Sequence, residues 1–582
     1  MSKCIRIKTN LLNRNIKQLF AITSVSLCFM ANSEAADQQY RSFEQIENEL
    51  QNLAKQHPQR VQLSSIGKSA GGKNIYFITL QQAGATKPEH RPALFVGANM
   101  AGFHHAGSEA AMNLLQTLAN SEEKKIQELL SKRTIYIAPV LNPDAHAGLF
   151  QTPRQLRARN DGKIDHDLDG LVGEDGPDDL DGNGVISTMR IKDPAGDMII
   201  DPKDPRRMIK ADPAKGERGN YRVYLEGKDD DRDGLYNEDS SGGIMPDRNF
   251  AAGFPVADSD AGRWPSQAPE TKAIMDALIA RPNVAMAVVF GPANQLLAAP
   301  TGFDRITPPG ATPAAEANKL EADDLKILSN LADPYKKSLE QAGVDTKRSA
   351  RQTGKGSFAN WLYFHYGVQT IELDVWGAPA QKNAATAASG NTAGDKKTAA
   401  DPERDLLAYL TESNPSAIMP WKKVKLSNGV EAEVGGIDPY AEYAPMYKDL
   451  AGPIKVHNEQ IISWAEKLGQ LELLETKLTS KGNDIWQISA VGGLQGDFPS
   501  HTKLAAKMRN KIPVRLEMRL GKGVDSLTLN RAATSERLDP SMTIKNEWLV
   551  KGAKGSTVEI ALWSRQSGRV VRTITLGAQN DE

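Results

Sequence analysis

ALFVGANMAGFHHAGSEAAMNLLQTLA, from Ala93 to Ala119, opens on four apolar residues, Ala93-Leu94-Phe95-Val96, and closes on a helical run from Ser108. A short apolar run without polar alternation reads as a strand buried on both faces. Thr134 to Val140 repeats that signal and ends at Asn142-Pro143-Asp144. Upstream lie a helical stretch, Phe43 to Gln56, and a hairpin-like pair, Val61 to Ile66 and Asn74 to Leu80, around Gly71-Gly72. Downstream come a helix opened by Pro269-Glu270, a strand from Val284 to Phe290, a helix from Phe358 and a strand from Val368 to Val375. Strands separated by helices predict an α/β fold, a mixed sheet flanked by helices.

Beyond a predicted helix from Val456 to Leu474 the texture changes. From Ile485 to Leu576 short alternating runs recur between Gly- or Asn-rich turns, as in Val514 to Met518 and Val558 to Leu562. Period-two runs at this spacing predict a C-terminal all-β sandwich. The expected domains are residues 36–475 for the α/β part and 483–582 for the sandwich. Residues 378–401, rich in Ala, Thr, Gly and Lys without a period, are expected to form a surface insertion.

The chain has 582 residues, 40% hydrophobic and 25% charged, which excludes global disorder. Its first 35 residues are of another kind. Lys3, Arg6, Lys8, Arg14 and Lys17 precede an apolar run from Leu19 to Ala31, with small residues around Ala35. This is the pattern of a cleaved secretory signal, and the apolar run is too short to span a bilayer. No membrane span is expected after cleavage, and the expected location is secreted or periplasmic. Both cysteines, Cys4 and Cys28, lie in that leader, so disulfides and thiol ligands are excluded from the mature part. Removing the leader's five basic residues and Glu34 takes the formal charge from -1 to -5, which gives no basis for nucleic-acid binding.

Several segments, in order from Tyr40 to Leu474, resemble the zinc carboxypeptidase family. Asn142-Pro143-Asp144-Ala145 resembles its Asn-Pro-Asp-Gly turn, and Arg154-Gln155-Leu156-Arg157 the segment whose second arginine polarises the scissile carbonyl. Asp247-Arg248-Asn249-Phe250 resembles Asn-Arg-Asn-Phe, whose first two residues grip a C-terminal carboxylate. Ala268-Pro269-Glu270-Thr271 resembles a helix start, and Thr370-Ile371-Glu372-Leu373 the strand carrying the general-base glutamate. The resemblance thus implies Glu372 and Arg157 as catalytic positions, Arg248 and Asp247 as substrate-binding positions, and zinc as cofactor.

The metal positions depart from the pattern. Anchored on Gly107-Ser108-Glu109, the family's His-x-x-Glu pair falls on Ala101 and His104, and its third ligand, a histidine, on Gly291. A catalytic zinc takes three protein ligands and keeps one position for water. Ala101 and Gly291 have no donor, so zinc is expected to be absent. Where the family's capping tyrosine is expected, Arg351-Gln352-Thr353 stands instead. His104 and His105 read as loop residues lining a cleft; the alternative is a rebuilt site with Glu109, one helical turn on.

The acidic segment 161–240 carries three repeats. They are Asp165-x-Asp167-x-Asp169-Gly170, Asp179-x-Asp181-x-Asn183-Gly184 and Asp229-x-Asp231-x-Asp233-Gly234. Oxygen donors on alternate residues with a glycine at the turn are what calcium loops use. None has a glutamate at the twelfth position, so they are not EF-hands. Calcium is the expected cofactor. The leading functional expectation is a zinc-less pseudoenzyme that keeps a cleft for a peptide, a cell-wall peptide or a C-terminal carboxylate. The alternatives are an active zinc carboxypeptidase with a rebuilt site, and an interaction protein acting through the sandwich.

Overall fold

The computed structural model describes residues 39–578, apart from 166–171, 174, 231–233, 235, 238–241, 257, 303–317, 349, 381–400 and 510. The signal segment, Asp167, Asp169, Asp231, Asp233 and most of the expected insertion at 378–401 therefore lie outside the described residues.

Helix α1 (Phe43–Gln56) leads into β1 (Val61–Lys68), β2 (Asn74–Leu80) and β3 (Ala93–Ala98). Ser42 caps α1 through a reciprocal box with Gln45, satisfying two of the amides that a helix start leaves open. Helices α2 (His105–Asn120) and α3 (Lys124–Lys132) then lead to β4 (Thr134–Ala138). The acidic segment contributes β5 (Thr188–Lys192), β6 (Met198–Ile200), β7 (Met208–Lys210) and β8 (Tyr221–Leu225). After α4 (Pro269–Ile279) come β9 (Val284–Phe290), α5 (Ala322–Gln341) and β10 (Gln369–Leu373). Helix α6 (Pro402–Ser413), β11 (Ile418–Lys425), β12 (Glu431–Ile437) and α7 (Ala451–Glu466) complete the α/β part.

The central sheet has the order β1-β2-β4-β3-β9-β10. β1, β2 and β4 pair antiparallel, whereas β4, β3, β9 and β10 run parallel. This is the mixed sheet the sequence predicted. Leu94, Val96, Val288 and Ile371 pack on one face of it with α2 and α7. Phe77, Phe95, Ala287, Phe250 and Phe358 fill the other.

One sheet was not foreseen and two expectations need correction. The acidic segment contributes strands: β5–β8 join β11 and β12 in a second six-stranded sheet, order β11-β12-β5-β8-β6-β7. Its strands are three to eight residues long and their apolar members are diluted by charge, so the carboxylate repeats masked the alternation. The helix expected to end at Leu474 ends at Glu466, because Gly469 must pass close to a neighbouring backbone: a Cβ there would lie 2.5 Å from the Phe498 carbonyl oxygen. Finally, β13 (Gln470–Gly482) is the first strand of the sandwich and pairs along its length with β14 (Ile485–Gln495), so the unit begins ahead of the expected boundary at 483.

After a short helix, α8 (Lys503–Lys507), the sandwich adds β15 (Val514–Leu520), β16 (Val524–Ser526), β17 (Ala532–Ser535), β18 (Thr543–Gly552), β19 (Thr557–Ser564) and β20 (Gly568–Thr575). Sheets β13-β14-β18-β16 and β17-β15-β19-β20 enclose Trp548, Leu516 and Ile560. The seam with the α/β part is polar and hydrogen-bonded. Fully buried Asp324 on α5 accepts from the Lys503 and Leu504 amides at 2.7 and 3.1 Å, and the Gly367 carbonyl accepts from Thr502 Oγ1 at 3.0 Å.

Candidate functional site

Three neighbouring parallel strands, β3, β9 and β10, end side by side, with Ala98 opposite Phe290 and Phe290 opposite Leu373. The carboxyl ends of parallel strands form the crevice where α/β sheets bind ligands. Ala101 and His104 follow β3, Gly291 follows β9, and Glu372 is the penultimate residue of β10. The structure therefore brings these four positions of the expected site to one edge of the sheet.

Glu372 is buried, 3% exposed. One carboxyl oxygen accepts from Thr353 Oγ1 at 2.7 Å and the other from the Ala293 amide at 3.4 Å. Gln295 locks the arrangement, its Nε2 donating to Thr353 Oγ1 at 3.0 Å while its Oε1 accepts from the Glu372 amide at 3.2 Å. Burial, with a smaller contribution from Asp247, pushes the Glu372 carboxyl up to about 8. The enclosed Asp247 carboxyl accepts from the Phe358 amide at 2.9 Å, and burial raises it to about 6. With no ion beside it, burial thus favours the protonated form of Glu372 near neutral pH.

Gly291 does more than lack a donor. A Cβ built there would lie 2.6 Å from Glu372 Oε1, so the glutamate occupies the space a side chain at 291 would use. His104 is tucked under the first turn of α2, where a Cβ on Gly107 would lie 2.7 Å from its Nδ1. It is 3% exposed, its Nδ1 has no hydrogen-bond partner, and burial lowers its pKa to about 4. Ala101 is buried in the same turn, and both side-chain polar atoms of fully buried Asn99 also lack partners.

The zinc fit can be judged on these contacts. One histidine nitrogen, an alanine and a glycine whose side-chain space is filled do not make the three-ligand set that zinc requires. The rebuilt alternative does not assemble either. Glu109 turns away to Arg41, whose guanidinium and amide both reach it, and to Tyr447 Oη at 3.0 Å. The ring nitrogens of His105 face the Phe103 and His146 carbonyls at 2.9 and 3.0 Å.

The arginines are present but engaged. Arg157, 9% exposed, pairs with Asp161, and Arg248 pairs with Asp258. Arg351 bonds Tyr443 and forks onto Glu442 with two contacts of 2.7 Å. Sequence reasoning saw Thr353 only as a departure and did not single out Gln295, Asp258 or Asp161, since nothing in their local pattern marks them.

In the second sheet, Asp179, Asp181 and Glu226 place carboxyl oxygens within 4.8 Å of one another, the one group of three potential metal-binding side chains of that closeness among the described residues. Glu226, at the end of β8, was not foreseen. Its carboxyl is satisfied by the Leu180 and Ser187 amides at 2.7 and 3.0 Å and by Ser187 Oγ at 2.7 Å. Lys422 on β11 neutralises Asp181 at 2.9 Å. Of the other expected calcium ligands, Asp165 and Asp229 lie apart from this group; Asn183 contributes its amide to both aspartates and its side-chain oxygen to Val185.

Comparison with known proteins locates the relationship. The family model for "Zinc carboxypeptidase" matches residues 46–169, which hold most of α1, β1 to β4 and the turn with Ala101 and His104, but not Gly291 or Glu372. Over this stretch the chain is similar to the zinc carboxypeptidase family. A zinc carboxypeptidase of Saccharothrix mutabilis subsp. capreolus is 28% identical over 128 residues, 21% of this chain and 29% of the relative. Carboxypeptidase M of Mus musculus is 34% identical over 115 residues, 19% of this chain and 25% of the relative. The chain thus matches under a third of the length of these relatives. The crystal structure of carboxypeptidase A from Helicoverpa armigera overlaps 62% of this chain and 73% of its own, at 15% identity and a TM-score of 0.37, too low to carry weight. A model for a domain of unknown function matches residues 470–575, the sandwich with β13 included. The stretch that resembles the zinc carboxypeptidase family is therefore joined here to a C-terminal sandwich matched by a separate model.

Proposed function

We propose that this is a secreted, zinc-less member of the zinc carboxypeptidase family, which holds peptide ends in its cleft without cutting them. The observation that carries the reading is at Gly291, where Glu372 fills the side-chain space that a third zinc ligand would need. Arg248, 42% exposed at its side chain, is the cleft's grip for a C-terminal carboxylate, with Asp258 as the internal carboxylate that a ligand displaces. The N-terminal leader pattern supports export, and no helix among the described residues is long and apolar enough to cross a membrane. The test is to incubate the purified mature chain with peptides ending in basic, apolar or acidic residues, with and without added zinc. No C-terminal amino acid should be released, whereas turnover abolished by chelator and by Glu372→Gln would refute the reading.

A second reading concerns the insertion. The convergence of Asp179, Asp181 and Glu226 favours a calcium ion at this loop, with Lys422 as its substitute when calcium is low. Calorimetric titration with calcium should show saturable binding that is lost in Asp179→Asn. Absence of binding to the unmodified chain would remove calcium from the account.

A further inference from the structure

A pocket of about 300 Å³ opens where the sandwich meets the α/β part, and it shares no residue with the cleft. One wall is an aromatic pair: Trp361 and Tyr366 stack with ring centroids 5.6 Å apart and planes 19° from parallel. Tyr366 is fixed by donating its hydroxyl to the Leu278 and Arg281 carbonyls at 2.9 and 2.7 Å, so it presents ring rather than hydroxyl. The facing wall comes from the sandwich, with Met508 packed 3.3 Å from where a Cβ on Gly367 would stand. Ile279 and Ile512 leave 54% and 41% of their surface exposed at this pocket, an unusual exposure for two large aliphatic side chains on one feature.

The charge is one-sided. Arg565 and Lys511 line the pocket and no aspartate or glutamate does. Lys511 is paired with Glu536 at 2.5 Å, but among the described residues Arg565 has no carboxylate partner. A guanidinium left unpaired beside an apolar, ring-lined hollow is complementary to a ligand with a carboxylate at one end and an apolar body at the other. The hollow is at the small end of ligand-binding cavities, which suits one aromatic ring and a short side arm. The hydrogen bonds across the seam through Asp324 and Gly367 hold both walls, so the pocket is preformed.

We propose that this seam pocket binds a small aromatic carboxylate, ring against Tyr366, which Trp361 backs, and carboxylate on Arg565. The experiment is calorimetric titration of the full chain with 3-phenylpropionate, with the neutral 3-phenylpropanol in parallel. The acid should bind saturably and the alcohol at least about tenfold more weakly, the factor expected for a hydrogen bond to a charged group. Arg565→Gln should weaken the acid by the same factor and leave the alcohol unchanged. Ile512→Glu, at an exposed position where the fold is not at risk, should abolish binding of the acid by placing a like charge at the pocket. No saturable binding of the acid, equal binding of acid and alcohol, or binding of the acid that survives Arg565→Gln would each overturn the proposal.

Discussion

At Glu372 the fold favours the neutral acid, and this has a consequence for stability. A carboxyl whose folded pKa stands above its unfolded value binds its proton more tightly in the folded chain, so stability falls as pH rises from the ordinary glutamate range through about 8. Glu372→Gln removes that penalty while keeping an acceptor for the Thr353 hydroxyl or the Ala293 amide. Denaturant unfolding should show the variant on the order of 2 kcal/mol more stable than the parent at pH 9 and nearly equal at pH 5. A glutamine variant that is less stable at both pH values would mean that the carboxylate is the native form. Arg248 gives a second test at this scale. If Asp258 competes with a ligand carboxylate for it, Asp258→Asn should tighten binding of a peptide acid several-fold without tightening the peptide amide, read by calorimetry. That Ala101, Gly291 and Glu372 come together at the strand ends was legible because ordered motifs fix their register. Thr353 and Gln295 were not, since 19 and 77 residues separate them from Glu372 and only the folded chain brings them to it.

The elements were legible where period and burial agree. Helix α1 and strand β9 fall on the expected residues, the first because a capping box marks its start, the second because seven apolar residues admit no other buried element. The second sheet was missed because β6 and β7 are three residues long and carry no period of their own. The sandwich's start was misplaced because Leu471, Leu473 and Leu474 prolong a helical pattern that Gly469 interrupts. Thr476 to Gly482 lies in β13 and is paired, so it should resist cleavage by proteases. A fragment of residues 470–578 should unfold cooperatively, whereas 483–578 should not, because it lacks β13 and exposes the edge of β14. Cooperative melting of the shorter fragment by circular dichroism would show that β13 belongs to the α/β part.

On the scale of the whole molecule, the sequence foretold a carboxypeptidase-like sheet and a trailing sandwich, and the fold shows what a side chain at position 291 would meet. Restoring Ala101→His and His104→Glu with Gly291→His puts back three donors, yet the third must displace Glu372 from Thr353 and Ala293 before it can point anywhere. The combined variant should therefore lose stability, by about 1–3 kcal/mol for forcing a side chain into filled space, and gain little affinity for zinc. The whole account turns on whether the native chain holds the ion. The deciding measurement is elemental analysis of the mature protein, saturated with zinc and then freed of loose metal by desalting. The account predicts far less than one zinc per chain, with peptide hydrolysis at background. One tightly held zinc per chain, retained through desalting and removed together with peptidase activity by chelator, would contradict it.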